Sequence, residues 1–184
     1  MSKLHEEITF NPKGCSAILM KQNEKTEIER EEMDRIFMRE ALLLAERAGA
    51  EGEVPVGAVA VLNGEIIARA WNRVESRKNG TAHAEMLVMN EAAERIGDWR
   101  LDGVSIYVTK EPCAMCAGAM VNTRIARVVY GMADPRSGCA GSALNVTGFP
   151  GMLHRVEVRG GIMDEECREI MRGFFRGVRQ KKGE

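Results

Sequence analysis

Cys113 and Cys116 stand three residues apart in the run Glu111-Pro112-Cys113-Ala114-Met115-Cys116. If Pro112 opens a helix, both sulfurs project from one face of its first turn. A thiolate pair so placed is half of a zinc site, and one imidazole completes a three-ligand set with a fourth position open to water. His83, in Thr81-Ala82-His83-Ala84-Glu85, supplies that imidazole from a second helix. Glu85, two residues on, sits beside the metal without having to bind it, which suits a carboxylate that moves protons. The same cysteines admit plainer readings, a redox pair or half of a structural zinc knuckle. A closed structural site needs a fourth Cys or His at similar spacing, and Cys139, Cys167, His5 and His154 do not provide one. Nor would a purely structural site require Glu85.

These residues need a scaffold, and the hydrophobic pattern outlines one. Met33, Ile36, Phe37, Ala41, Leu44 and Ala48 recur at three and four, the stripe of an amphipathic helix that Gly49 and Gly52 end. Val56 to Leu62 and Glu65 to Ala70 read as strands joined by Asn63-Gly64, the strongest short hairpin signal because both turn residues take positive φ. Trp71-Asn72-Arg73 closes the second strand, and a loop from Glu75 to Gly80 leads to the His83 helix, whose inner face is read as Met86, Leu87, Asn90 and Ala93. Val104 to Thr109 is a buried strand that delivers the Cys113 helix, where Ala117, Gly118 and Ala119 permit close approach to the sheet. Arg127 to Tyr130 is a strand, a long polar loop follows, Val156 to Val158 is a last strand, and Asp164 opens a final helix. The order predicts an α/β fold with a mixed sheet of five strands between helices.

Composition fits one soluble domain: 184 residues, 45% hydrophobic, 29% charged, with no apolar run near the roughly 20 residues of a membrane span. Five cysteines, two of them wanted as thiolates, point to a reducing cytoplasmic setting. A net charge of −1 makes the whole chain no magnet for nucleic acid, but six cations face two acids between Arg168 and Glu184. That segment is either a solvated basic tail or a local phosphate-contacting patch. Residues 1–31 carry turn chemistry at Asn11-Pro12-Lys13-Gly14 and the patch Ile18-Leu19-Met20, and read as an extension to a domain over 32–184.

Histidine, glutamate two later, then Pro-Cys-x-x-Cys is the signature of zinc-dependent nucleobase deaminases. The likeness extends to Glu53-Val54-Pro55-Val56-Gly57-Ala58-Val59, Trp71-Asn72-Arg73, Tyr107-Val108-Thr109, Pro150-Gly151-Met152, His154-Arg155-Val156-Glu157 and Phe174-Phe175-Arg176. Over about Glu32 to Arg179 the chain resembles the bacterial tRNA-specific adenosine deaminases. Within the superfamily the diphenylalanine-arginine segment is more specific than the metal motif. The resemblance implies a cytidine-deaminase-like three-layer α/β/α sandwich, one zinc per subunit on His83, Cys113 and Cys116, and a homodimer acting on a tRNA anticodon stem-loop. Its reaction converts the adenosine at the first anticodon position to inosine, with Glu85 as proton shuttle.

The same likeness assigns Asn72 to the purine, Ala84 and Pro112 to the pocket wall, and Asp134, Arg136, Phe175, Arg176 and Arg179 to the RNA. Read on their own, Asn72 could equally close a turn, Asp134 and Arg136 could belong to a solvated loop, and the phenylalanines could pack the last helix. We expect Phe174 to pack and Phe175 to face a nucleotide. Three departures stand out: Asn79-Gly80 where the family usually has aspartate and proline, the residues before 32, and Gly173 and Gly177 around the diphenylalanine. Each of those glycines costs a helix roughly 1 kcal/mol against alanine, so that last turn is expected to order mainly on RNA. The competing functions are a deaminase of a free base or nucleoside such as guanine, and a zinc-stabilised RNA-binding module without catalysis.

Overall fold

The computed structural model describes residues 12–183, with side chains from 26 to 180. The expectations for Asn11, for the Ile18–Met20 patch and for Lys181 and Lys182 lie outside the described residues or side chains. By internal contacts the chain divides into two compact units, residues 1–33 and 34–184. The elements are α1 (Pro12–Ala50), β1 (Gly57–Leu62), β2 (Glu65–Trp71), α2 (Val74–Arg77), α3 (Ala84–Ile96), β3 (Ser105–Lys110), α4 (Ala114–Asn122), β4 (Arg127–Met132), β5 (Glu157–Arg159) and α5 (Asp164–Lys182).

Helix begins at Pro12, not near Met33 as the periodicity suggested. Proline is tolerated there because the first helical N–H has no partner to lose. At the far end α5 runs through Gly173 and Gly177 as continuous helix, in contrast to the expected RNA-dependent last turn.

The five strands form one mixed sheet in the order β2-β1-β3-β4-β5. β1 is antiparallel to β2 and β3, while β3, β4 and β5 run parallel. Asn63 (φ 53°) and Gly64 (φ 79°) make the hairpin turn as expected. Side chains alternate across the sheet with period two. Ala58, Ala60, Ile106, Val108 and Val128 pack with Val88, Met89, Ala92, Met120 and Val121 of α3 and α4. On the other face Val59, Val61, Tyr107 and Val129 pack with Phe37, Met38, Ala41 and Leu42 of α1 and Cys167 of α5. The result is the three-layer α/β/α sandwich.

Two helices are turned relative to the sequence reading. In α1 the buried stripe is Asp34, Phe37, Met38, Ala41, Leu42, Ala45 and Ala48, and Ile36 is exposed. In α3 it is Ala84, Glu85, Val88, Met89 and Ala92, with Asn90 exposed and Met86, Leu87 and Ala93 only part-buried. In each case a buried acid, Asp34 or Glu85, sits where a hydrophobic pattern finds no signal.

Close approach is required at one glycine and not at another. A Cβ at Gly57 would collide with the Ala41 carbonyl oxygen and stand 2.5 Å from the Ala45 nitrogen and 2.7 Å from the Leu44 Cβ. A Cβ at Gly118 would meet nothing within 4 Å, contrary to the expectation that this glycine lets α4 lie close. Gly57→Ala is therefore expected to lose about 1–3 kcal/mol by overpacking, and Gly118→Ala to gain up to about 1 kcal/mol from helix propensity. Urea unfolding of the pair checks both signs.

Candidate active site

One edge of the sheet gathers every element the chemistry needs. Gly57 at the start of β1 pairs with Trp71 at the end of β2, and Lys110 at the end of β3 pairs with Met132 at the end of β4. From that edge β3 runs through Lys110, Glu111 and Pro112 into α4, and β2 leads through α2 into α3. His83 is the N-cap of α3 and Cys113 the N-cap of α4, so Glu85 and Cys116 fall in the two first turns. Both helix N-termini thus start at the site, and their partial positive charge offsets the two thiolates.

The three donor atoms form a near-equilateral triangle. Cys113 Sγ lies 3.7 Å from Cys116 Sγ and 3.7 Å from His83 Nδ1, and Cys116 Sγ lies 3.6 Å from the same nitrogen. Zinc–ligand bonds of about 2.3 Å to sulfur and about 2.0–2.1 Å to nitrogen in a tetrahedron require edges of about 3.8 Å and about 3.6 Å. Two sulfurs and an imidazole are also a donor set zinc favours. The residues fit the metal.

Contact with Cys116 and His83 holds the Cys113 thiol down at about 3. The same contact, with burial, pushes the Cys116 thiol up, and the Cys113 sulfur pushes the His83 ring up. Glu85 is 4% exposed, and burial pushes its carboxyl up.

Glu85, His83 and Cys113 line a cavity of about 230 Å³ together with Val54, Val56, Asn72, Val74 and Glu75. Asn72 lies on it as expected. Ala84 and Pro112 are buried next to it in sequence but are not among its lining residues. Asn79, at the first departure from the family pattern, closes its loop by accepting from the Thr81 N–H at 2.9 Å and the Thr81 hydroxyl at 2.8 Å.

The long loop after β4 is anchored by a residue to which the sequence reading assigned no role. Glu111, 2% exposed, accepts N–H groups from Asp134 (2.9 Å), Ala140 (3.1 Å) and Ser142 (3.0 Å). Against its burial, these donors and the Ser142 hydroxyl hold its carboxyl below the usual range. A Cβ at Gly138 would collide with that carboxylate. Asp134 is occupied inside the same loop: its carboxylate pairs with Lys110 at 2.6 Å and accepts from the Ser137 hydroxyl and the Arg136 N–H. Arg136 is exposed.

Phe175, Arg176 and Arg179 are not brought into the His83 cavity. They line a separate hollow of about 420 Å³ on α5 with Met171 and Arg172. Phe175 is 41% exposed and meets the less exposed Phe174 edge to face at 5.3 Å. Glu53 was also missed as a site residue. Neither glutamate carries a local signal, since Glu53 stands between Gly52 and Val54 and Glu111 between Lys110 and Pro112.

Sheet order, flanking helices and metal-ligand geometry together define a deaminase of the cytidine-deaminase-like class. A family model for MafB19-like deaminases matches residues 32–179. The tRNA-specific adenosine deaminase of Bacillus subtilis (strain 168) is 49% identical over 81% of this chain and 92% of its own length. A solved structure from work on A-to-I editing by tRNA:A34 deaminases is 44% identical, covers 73% of this chain and 97% of that one, and superposes with a TM-score of 0.71. The guanine deaminase of Nitrosomonas europaea, at 21% identity over 76% of this chain and 83% of its own, shares the fold with a TM-score of 0.66. The chain belongs to the MafB19-like deaminase family and, within it, to the tRNA-specific adenosine deaminases. No helix among the described residues is long and apolar enough to cross a membrane.

Proposed function

We propose that this chain hydrolyses adenosine to inosine at the first anticodon position of tRNA, releasing ammonia. The observation that carries the reading is the His83–Cys113–Cys116 triangle with Glu85 buried beside it in one cavity. His83, Cys113 and Cys116 would hold one zinc per subunit, and the metal would supply an acidified water, its pKa lowered from about 15.7 towards about 7, as the nucleophile. Glu85 takes a proton from the attacking water, passes it to ring nitrogen N1, and carries the second proton to the departing amine. Asn72 hydrogen-bonds the purine, and Ala84 and Pro112 flank the pocket next to His83 and Cys113 in the chain. The base must be out of any stack to reach C6, and an anticodon loop presents one that is already unpaired.

The RNA is held outside the cavity. Phe175 offers a face for a nucleotide, and Arg136, Arg176 and Arg179 offer charge to phosphates. Asp134 contributes by shaping the loop that carries Arg136. The family resemblance supports a homodimer, and the substrate supports a cytoplasmic location. The domain is read as 32–184, with 1–31 as an extension.

The test is inosine formation in two anticodon stem-loops, one with adenine and one with guanine at the first anticodon position, with free adenine, guanine and cytidine as controls. The protein should carry about one zinc per chain. Conversion of the adenine stem-loop alone is expected. Ammonia released only from a free base would keep the metal site and discard the RNA. No turnover at full zinc would make the chain a binding module.

A further inference from the structure

Glu53 is 1% exposed, and its carboxylate accepts from three N–H donors, with the Ser76 side chain also against it. Oε1 accepts from the Ser76 N–H at 2.7 Å, and Oε2 accepts from the Glu75 N–H at 3.0 Å and from Asn72 Nδ2 at 3.3 Å. Against its burial, the Ser76 and Glu75 N–H groups hold the carboxyl below its ordinary range. The backbone of Glu53 is itself fixed, its N–H donating to the Ala48 carbonyl at 2.9 Å. One carboxylate therefore ties together Asn72 and the first turn of α2, and Asn72, Val74 and Glu75 are cavity wall.

An ionised carboxylate accepts hydrogen bonds and donates none. A side-chain amide has two orientations, and beside such an acceptor only one of them is favourable, with the NH2 group toward the carboxylate. The carbonyl oxygen of Asn72 is then turned away from Glu53. We propose that Glu53 is a positioning residue for base recognition: it locks the Asn72 amide with its oxygen toward the cavity, so that the bound base meets an acceptor there. The proposal rests on the reading that this cavity takes a nucleobase.

The lock can be broken and rebuilt. In Glu53→Gln the NH2 that replaces Oε2 gives up the acceptor for the Glu75 N–H and can donate to Asn72, so the Asn72 amide can turn over and present NH2 to the cavity. In Asn72→Asp two buried carboxylates face one another. In the double variant the amide introduced at position 53 donates to one oxygen of the carboxylate introduced at position 72. The other oxygen is left toward the cavity, as in the wild type. Each variant is measured on whichever substrate the wild-type chain deaminates. A wrong substrate class then shows in the wild-type assay, and a wrong role for Glu53 shows only in the variants.

Glu53→Gln is expected to lose at least about tenfold in kcat/KM, mainly through KM, as loss of ground-state binding does. Asn72→Asp should fall further, and the double variant should recover to at least about tenfold above Asn72→Asp. A Glu53 that merely held the fold together would leave KM unchanged in folded Glu53→Gln protein, and that result, or a double variant whose KM stays at the Asn72→Asp value, overturns the proposal. Should Glu53→Gln fail to fold, the KM of folded Asn72→Asp protein against that of the folded double variant still decides, because relief of the repulsion between two carboxylates restores stability, whereas the lock restores KM.

Discussion

Glu85→Gln retains about one zinc per chain and loses deamination of the adenine stem-loop by at least about 10²–10⁴-fold, the contribution of a positioned acid–base group. Glutamine keeps the volume and an acceptor oxygen but can neither take nor return a proton. The three metal donors come from His83, Cys113 and Cys116, so the charge on Glu85 is not needed to close that triangle. Glu85→Ala behaves alike in turnover. Among the described residues no ammonium or guanidinium group pairs with the buried Glu85 carboxyl, and such burial is costly to the fold, so the glutamine variant should unfold no earlier than the wild type. On the proposed shuttle role, function and not stability accounts for an acid at this position. Metal analysis, thermal unfolding and inosine formation on one preparation separate the cases. Substantial residual turnover would sink the shuttle role, and loss of zinc together with activity would make Glu85 a support of the metal site instead.

The metal site was legible because its information is local. Cys113 and Cys116 share one turn, and His83 and Glu85 share another, so spacing alone places the groups once the helices are granted. The strands were legible because β1, β3 and β4 alternate or run apolar between clear turn signals. Buried acids were the part that pattern reading misplaced. Asp34 and Glu85 each turn their helix away from the face that apolar periodicity indicates, since a charge counts as surface until its partner is known. The partner of Asp34 is Arg127, 93 residues away, and no window of sequence contains both. Glu53 and Glu111 were hidden for a related reason. Their partners are mostly backbone N–H groups, which nearly every residue has and no residue type announces. The start of α1 at Pro12 was missed because the segment before Met33 has helix-forming residues without an apolar stripe.

Asp34→Ala is expected to cost about 3–5 kcal/mol, the range for removing one partner of a buried ion pair. Asp34 is 1% exposed, and the Arg127 side chain 8%. The guanidinium grips the carboxylate with two nitrogens, at 2.6 Å and 2.9 Å, and the Tyr107 hydroxyl donates to it at 2.9 Å. Burial, with Asp34 beside it, pushes the Tyr107 phenol up, so the hydroxyl stays a donor throughout the working pH range. Arg159 adds a longer contact at 3.4 Å, and Glu157 takes the Arg127 Nε at 3.1 Å but is more than half exposed. Removing Asp34 leaves Arg127 with that exposed carboxylate as its remaining acid among the described residues, and takes the acceptor from the Tyr107 hydroxyl. For a fold worth about 5–15 kcal/mol in total, the loss approaches the whole margin. The pair as a pair is another matter. Asp34→Leu with Arg127→Met and Tyr107→Phe replaces both charges and the hydroxyl that leans on them by apolar groups, and should fall within about 1 kcal/mol of the wild type or above it. The network joins α1 to β3 and β4 on the sheet face away from α3 and α4. Folded Asp34→Ala protein at low temperature should therefore still bind zinc and turn over substrate. Urea unfolding checks this through the midpoint at unchanged m. A loss below about 1 kcal/mol for the single variant would mean that water reaches Arg127 and that the pair is not buried in the energetic sense.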